Sequence, residues 1–170
     1  MTAPAAPWPD AQALLALERE ARSTGTGLTA THLLGSWQLE LVWPKGSNRA
    51  SAFSGWLLRG LSARLEIDRD ADGLLLSNAV NLGLLELRFR GRGRLLGKRP
   101  LLQFSFDQLQ LSLAGRCLLQ RRATAAADNA PQRLPFFALI QRDPAGWLAA
   151  RGRGGGLALW RLINPAAIGG

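Results

Sequence analysis

From Leu34 to Trp43 apolar and polar positions alternate: Trp37, Leu39, Leu41 and Trp43 share one parity, with Gln38 and Glu40 between them. Successive side chains of a strand point to opposite faces, so a period of two predicts a half-buried strand. The pattern returns at Leu85, Leu87 and Phe89 between Glu86, Arg88 and Arg90. It returns again at Leu102, Phe104 and Phe106, and at Leu109, Leu111 and Leu113. Leu61–Ile67 and Leu74–Asn78 flank Asp72-Gly73, a hairpin signal, and Asp143-Pro-Ala-Gly146 joins Pro135–Ile140 to a strand at Trp147. Trp147–Arg151 and Leu157–Leu162 read as two strands about a glycine turn. Gly91-Arg-Gly93 and Ala114-Gly115 read as further turns.

A different period opens the chain. Asp10 is placed to cap a helix from Ala11 to about Arg22, with Leu14, Leu15 and Leu17 on it, Glu18 and Arg22 one turn apart, and Ser23–Gly27 ending it. This helix is expected to pack over one end of the β-structure. Phe53, Trp56, Leu57 and Leu58 show no clean period and suggest a short helix or a lid. Residues from about Arg122 to Leu134 suggest a loop. The expectation is an all-β fold with one N-terminal helix: eight to ten short antiparallel strands forming a barrel or sandwich. Closure is favoured because it leaves no open edge. Residues 1–27 form the lead and helix, 28–164 the β-domain and 165–170 a short tail.

Length and composition narrow the class. The 170 residues suit one domain, and 47% hydrophobic content is too high for a disordered chain. One cysteine, Cys117, forbids an internal disulfide and fits a reducing, cytoplasmic compartment. Met1–Pro9 lacks the basic and apolar regions of a secretory signal, and no apolar run approaches the ~20 residues of a spanning helix. The net charge of +9 favours an anionic partner, either nucleic acid or an acidic lipid surface.

Catalytic parts are few. His32 is the only histidine and reads as a surface residue flanking a strand, and tyrosine is absent. Cys117 reads as a small buried apolar residue. Asp68, Asp70 and Asp72 copy the opening of a calcium loop, but Ala79 stands where a bidentate Glu is required, so a solvated hairpin tip is expected. No enzyme, metal or cofactor is expected. Arg88, Arg90, Arg92 and Arg94 form a basic row for an anionic surface, or simply a solvated face. Nucleic acid is disfavoured because Phe89, the one nearby aromatic, points inward. Of the six tryptophans, Trp37, Trp43, Trp147 and Trp160 lie on expected strands, as core residues or as walls of an apolar pocket.

Several of these residues together resemble a known family. Leu34-Gly-Ser-Trp37, Asn81 after an apolar strand, Phe104-x-Phe106, and Trp147-Leu…Arg151-Gly-x-Gly-Gly-x-Leu-Ala-Leu-Trp160 resemble the plastid-lipid-associated proteins, or fibrillins, in their cyanobacterial form. The resemblance spans about residues 30 to 163. It implies a lipocalin-like barrel that holds lipids, carotenoids or quinones at a photosynthetic (thylakoid) membrane. The acidic, aromatic segment usual before the Arg-Gly turn is missing, since Trp147-Leu-Ala-Ala-Arg151 runs straight on.

The expected function is therefore non-enzymatic binding of an apolar small molecule, peripheral to an anionic membrane. Trp37, Trp43, Leu87, Phe104, Phe106 and Trp160 are the candidate ligand contacts, and Arg88, Arg90, Arg92 and Arg94 the candidate membrane contacts. A phycobilin lyase-like barrel is one alternative, favoured if Glu40, Glu66 or Asp107 faced inward; parity turns Glu40 and Asp107 outward. A basic nucleic-acid-binding barrel is the other.

Overall fold

The computed structural model describes residues 8–47, 49, 61–122 and 134–165, with backbone alone at 61–63. The expected lid at Phe53–Leu58 and most of the expected loop before Leu134 lie outside the described residues. Helices α1 (Ala11–Thr24) and α2 (Ala30–Leu33) precede nine strands. These are β1 (Gly35–Trp43), β2 (Leu61–Asp70), β3 (Gly73–Leu82), β4 (Leu85–Leu96), β5 (Leu101–Leu113), β6 (Arg116–Arg122), β7 (Phe136–Asp143), β8 (Trp147–Gly152) and β9 (Leu157–Pro165). All pairs are antiparallel, and the order β1-β2-β3-β4-β5-β7-β8-β9 returns to β1, so eight strands curl into a barrel-like ring. Among the described residues β6 is hydrogen-bonded to β5 alone and stands outside the ring.

Two seams make the ring uneven. β1 pairs β2 only through Gly35–Gln38, and β5 pairs β7 only through Leu101–Gln103. Beyond those short ladders the sheet flares into two arms. One arm contains β7, β8, β9 and the end of β1; the other contains β2 to β6. At the closed end, α2 and its approach put Leu28, Leu33 and Leu34 against the core. Thr29 and His32 form a capping box on α2, with the Thr29 amide donating to His32 Nδ1 at 3.0 Å. His32 is thus the exposed flanking residue its position suggested.

Side chains fill the ring's centre. Trp37, Leu65, Ile67, Leu74, Leu76, Leu102, Phe104, Leu139, Leu148 and Trp160 form one buried cluster. Trp37 is fully buried, and its indole Nε1 donates to the Leu33 carbonyl at 2.8 Å, satisfying its one polar atom.

The helix α1 lies along the outer wall, not over an end. Its Ala11 and Leu14 pack on Trp43, Ile140, Ala149, Leu157 and Leu159 from β1, β7, β8 and β9. This corrects the shared face expected for Trp37 and Trp43. Leu39 pairs Trp160 while Leu41 pairs Leu159, so Glu40 is an extra residue, a β-bulge. One extra residue reverses parity, which keeps Trp37 and Leu39 inside and turns Leu41 and Trp43 out beneath α1. Trp147 also packs in the helix-side cluster.

Two further expectations change. Gly91-Arg-Gly93 does not turn the chain but lies within β4, and the turn comes at Gly97–Pro100. A Cβ on Gly91 would sit 1.7 Å from the Ser105 carbonyl oxygen, and one on Gly93 2.4 Å from Leu76 Cδ1. Glycine serves here for close approach across the ring wall, not for bending. Cys117 is exposed, not buried, because all seven residues of the edge strand β6 are exposed.

Candidate functional site

The flared end is where apolar side chains remain without full cover. Register and alternation put Val80, Leu82, Leu85, Leu87, Phe89, Leu109, Leu111 and Leu113 on the inner face of the β2–β6 arm, because Phe89 meets Phe106 inside the ring. Leu87, Phe89 and Leu111 are half-buried, while Leu82 and Leu113 are exposed. Aromatic contacts lead from this face into the core. Ring centroids lie 5.7 Å apart for Phe89–Phe106, 5.3 Å for Phe106–Phe104, 5.2 Å for Phe104–Phe137 and 5.1 Å for Phe137–Trp160.

The six expected ligand contacts therefore divide three ways. Trp37, Phe104 and Trp160 are core residues with 0–8% of their surface exposed, so they have little surface to offer a ligand. Leu87 and the half-buried Phe106 lie on the apolar inner face of the arm. Trp43 is outside the ring, under α1. Phe89 and Leu111 join the site without having been singled out, though their alternation with Arg and Gln marked them as inward.

On the arm's other face the basic row is largely tied up. Arg88 donates to Glu66 Oε2 at 2.9 Å, to Glu86 Oε1 at 3.0 Å and to Ser77 Oγ at 3.3 Å. The Glu86 hydrogen bonds raise its pKa above the ordinary arginine value, against the opposing effect of burial. Arg92 clamps Asp70 with two hydrogen bonds of 3.1 and 3.0 Å, and this holds the Asp70 carboxyl below its usual range. Arg94 donates twice to Gln103 Oε1. Arg90 alone of the four forms no hydrogen bond or ion pair among the described residues. An open groove of about 650 Å3 crosses this outer face between Ser36, Glu66, Asp68, Ser77, Arg90 and Asp107. Its mixed charges suit water better than an apolar ligand.

The strongest polar constellation is one the sequence did not announce. Glu18 on α1 is 3% exposed and accepts from Arg22 Nη2 at 3.1 Å, Arg99 Nη2 at 2.7 Å and Arg151 Nε at 2.6 Å. Burial pushes its carboxyl up, but Arg151, Arg99 and Arg22 outweigh that and bring it down to about 2. Only the Glu18–Arg22 spacing was legible; Arg99 and Arg151 are distant in sequence. Arg151, at the end of β8 before the glycine turn, is one jaw of a clasp holding α1 to the ring.

Among the described residues no three His, Cys, Asp or Glu side chains converge as metal ligands, and no helix is long and apolar enough to cross a membrane. The chain matches no protein-family model and no curated protein.

Proposed function

We propose that this protein binds an apolar small molecule without catalysis, on the inner face of the flared β2–β6 arm, at the surface of a photosynthetic membrane. The observation that carries the reading is that face itself: Leu82, Leu85, Leu87, Phe89, Leu111 and Leu113 in one continuous apolar sheet surface that ends on Phe106. Contiguous exposed apolar surface on a folded domain marks an interaction site. With the ring's centre occupied by Trp37, Leu102 and Trp160, a ligand lies at the mouth and not in the middle. A flat isoprenoid, quinone or acyl chain suits leucine and phenylalanine walls, with Asn78 opposite Phe89 as a polar group at their inner end. The resemblance to the plastid-lipid-associated proteins adds the choice among lipid, carotenoid and quinone.

The alternatives draw less support. A bilin lyase needs a carboxylic acid aimed at its pocket, whereas Glu66 and Asp107 line the outer groove. A nucleic-acid surface along the Arg88–Arg94 row needs free cations and stacking aromatics, whereas Arg88 and Arg92 are held by carboxylates and Phe89 faces inward.

The test is direct. Protein purified from its host is extracted with organic solvent and analysed by mass spectrometry. The stripped protein is then titrated with a quinone while tryptophan fluorescence is read. An extractable lipid or pigment, with quenching that is weakened in Leu87→Arg, is the expected result. A clean extract together with no quenching removes the proposal.

A further inference from the structure

The flared end carries a second feature, which shares only Leu82 and Leu113 with the ligand face. The β3–β4 turn exposes Leu82 (58%) and Leu84 (72%), the β5–β6 turn Leu113 (45%), and β6 Leu118 (59%) and Leu119 (42%). The two turns are joined: the Ala114 amide donates to the Leu84 carbonyl at 2.8 Å, and Leu85 pairs Leu113. The leucines therefore form one projecting edge. On β6 Arg116 stands opposite Leu113 at the turn, and Arg121 and Arg122 follow farther along the strand, opposite Leu109 and Gln108; all three are exposed and without an ion pair among the described residues. From Gln108 to Arg122 the chain has no Asp or Glu, so no carboxylate on β6 or on the β5 residues paired with it offsets these charges.

We infer that this edge, formed by the β3–β4 and β5–β6 turns and strand β6, is the face that docks on an anionic lipid bilayer. The exposed leucines enter the interfacial region and Arg116, Arg121 and Arg122 meet acidic headgroups. The inference rests on the membrane part of the proposed function and moves the contact away from the Arg88–Arg94 row, where three of the four arginines are already engaged. Charge complementarity selects the occupant. Leucines beside uncompensated arginines suit a surface that is apolar within and acidic at its rim. A second copy fits poorly, because antiparallel pairing of two β6 edges about Leu119 sets Arg116 against Arg122 and Cys117 against Arg121, bringing like charges close. Docking in this orientation also turns the apolar inner face of the arm toward the membrane, from which an apolar ligand could enter without crossing water.

The experiment is co-sedimentation of the full chain with phosphatidylcholine vesicles, pure or containing roughly one-third phosphatidylglycerol, at several salt concentrations. Wild type should bind the anionic vesicles, and less as salt rises. Leu84→Asp/Leu118→Asp and Arg116→Glu/Arg121→Glu should each bind roughly tenfold more weakly or worse. Arg90→Glu should bind as wild type does. Both tip positions are highly exposed, so thermal melts of these variants should match wild type. Should Arg90→Glu lose binding while the tip variants keep it, the docking face is wrong although the membrane reading stands. Absence of wild-type binding to either vesicle overturns both. Gel filtration showing a dimer that Leu84→Asp/Leu118→Asp dissolves assigns the edge to self-association and overturns the inference.

Discussion

At the scale of single residues, Glu18 and Gly91 matter most. Glu18 is a buried carboxylate held by three guanidinium groups, and removing one partner of a buried charge cluster is costly because the rest are left unmatched. Glu18→Gln should lower unfolding free energy by about 3 kcal/mol in urea titrations at neutral pH. The sign of its pH dependence follows from the depressed carboxyl. Its stabilisation is fully present above the ordinary value of 4.5 and is lost as pH falls through that value toward about 2. Urea midpoints of wild type and Glu18→Gln should therefore converge between those limits and differ by a constant amount above them. Gly91→Ala is predicted to cost about 3 kcal/mol or more, since its Cβ would meet backbone that a side-chain rotation cannot clear. A melting temperature within a degree or so of wild type would show that β4 and β5 separate more easily than the close approach implies.

At the scale of elements, the ring and the helix α1 have separate apolar cores divided by the wall of β7, β8, β9 and β1. Trp43 belongs to the helix side and Trp37 to the ring. Both should lose about 3–5 kcal/mol on truncation to Ala, yet with different local consequences. Trp43→Ala should speed amide exchange chiefly in α1, and Trp37→Ala throughout the strands, as hydrogen-exchange mass spectrometry would report. Equal acceleration of both regions in both variants would mean one cooperative unit. The alternation pattern made the strands readable, as did the turns at Ala114–Gly115 and Asp143–Gly146. The bulge at Glu40 was not readable, because an inserted residue leaves the odd-even pattern of apolar letters intact while reversing the faces they occupy. The helix start at Ala11, its Asp10 cap and an end within Ser23–Gly27 were legible from local chemistry alone, although the helix runs on to Thr24, two residues past the expected Arg22.

At the scale of the whole molecule, the ring is tight where α2 plugs it and flared where β1 leaves β2 and β5 leaves β7. A ligand confined to the flared face contacts mainly one arm, so its binding should stabilise the fold without reorganising the core. At about one hundred times the dissociation constant it should add about 2.7 kcal/mol, or about 5–10 °C in melting temperature for a domain of this size. Differential scanning fluorimetry with and without a quinone measures this. Under the proposed function, Leu87→Arg should abolish the shift and Trp160→Phe should preserve it, because the first residue lies on the open face and the second in the filled centre.

The antiparallel all-β class, the N-terminal helix, the scarcity of catalytic groups and the outward parity of Arg88, Arg90, Arg92 and Arg94 could all be read along the chain. These follow from period, capping and composition, which are local properties. Tertiary structure decided which apolar face lies inside, that Gly91 and Gly93 sit within a strand, that Glu18 finds Arg99 and Arg151, and that Cys117 is exposed. Each depends on which strand becomes the neighbour of which, and on where two ladders stop. That information resides in packing between segments far apart in the chain, so no window along the sequence contains it.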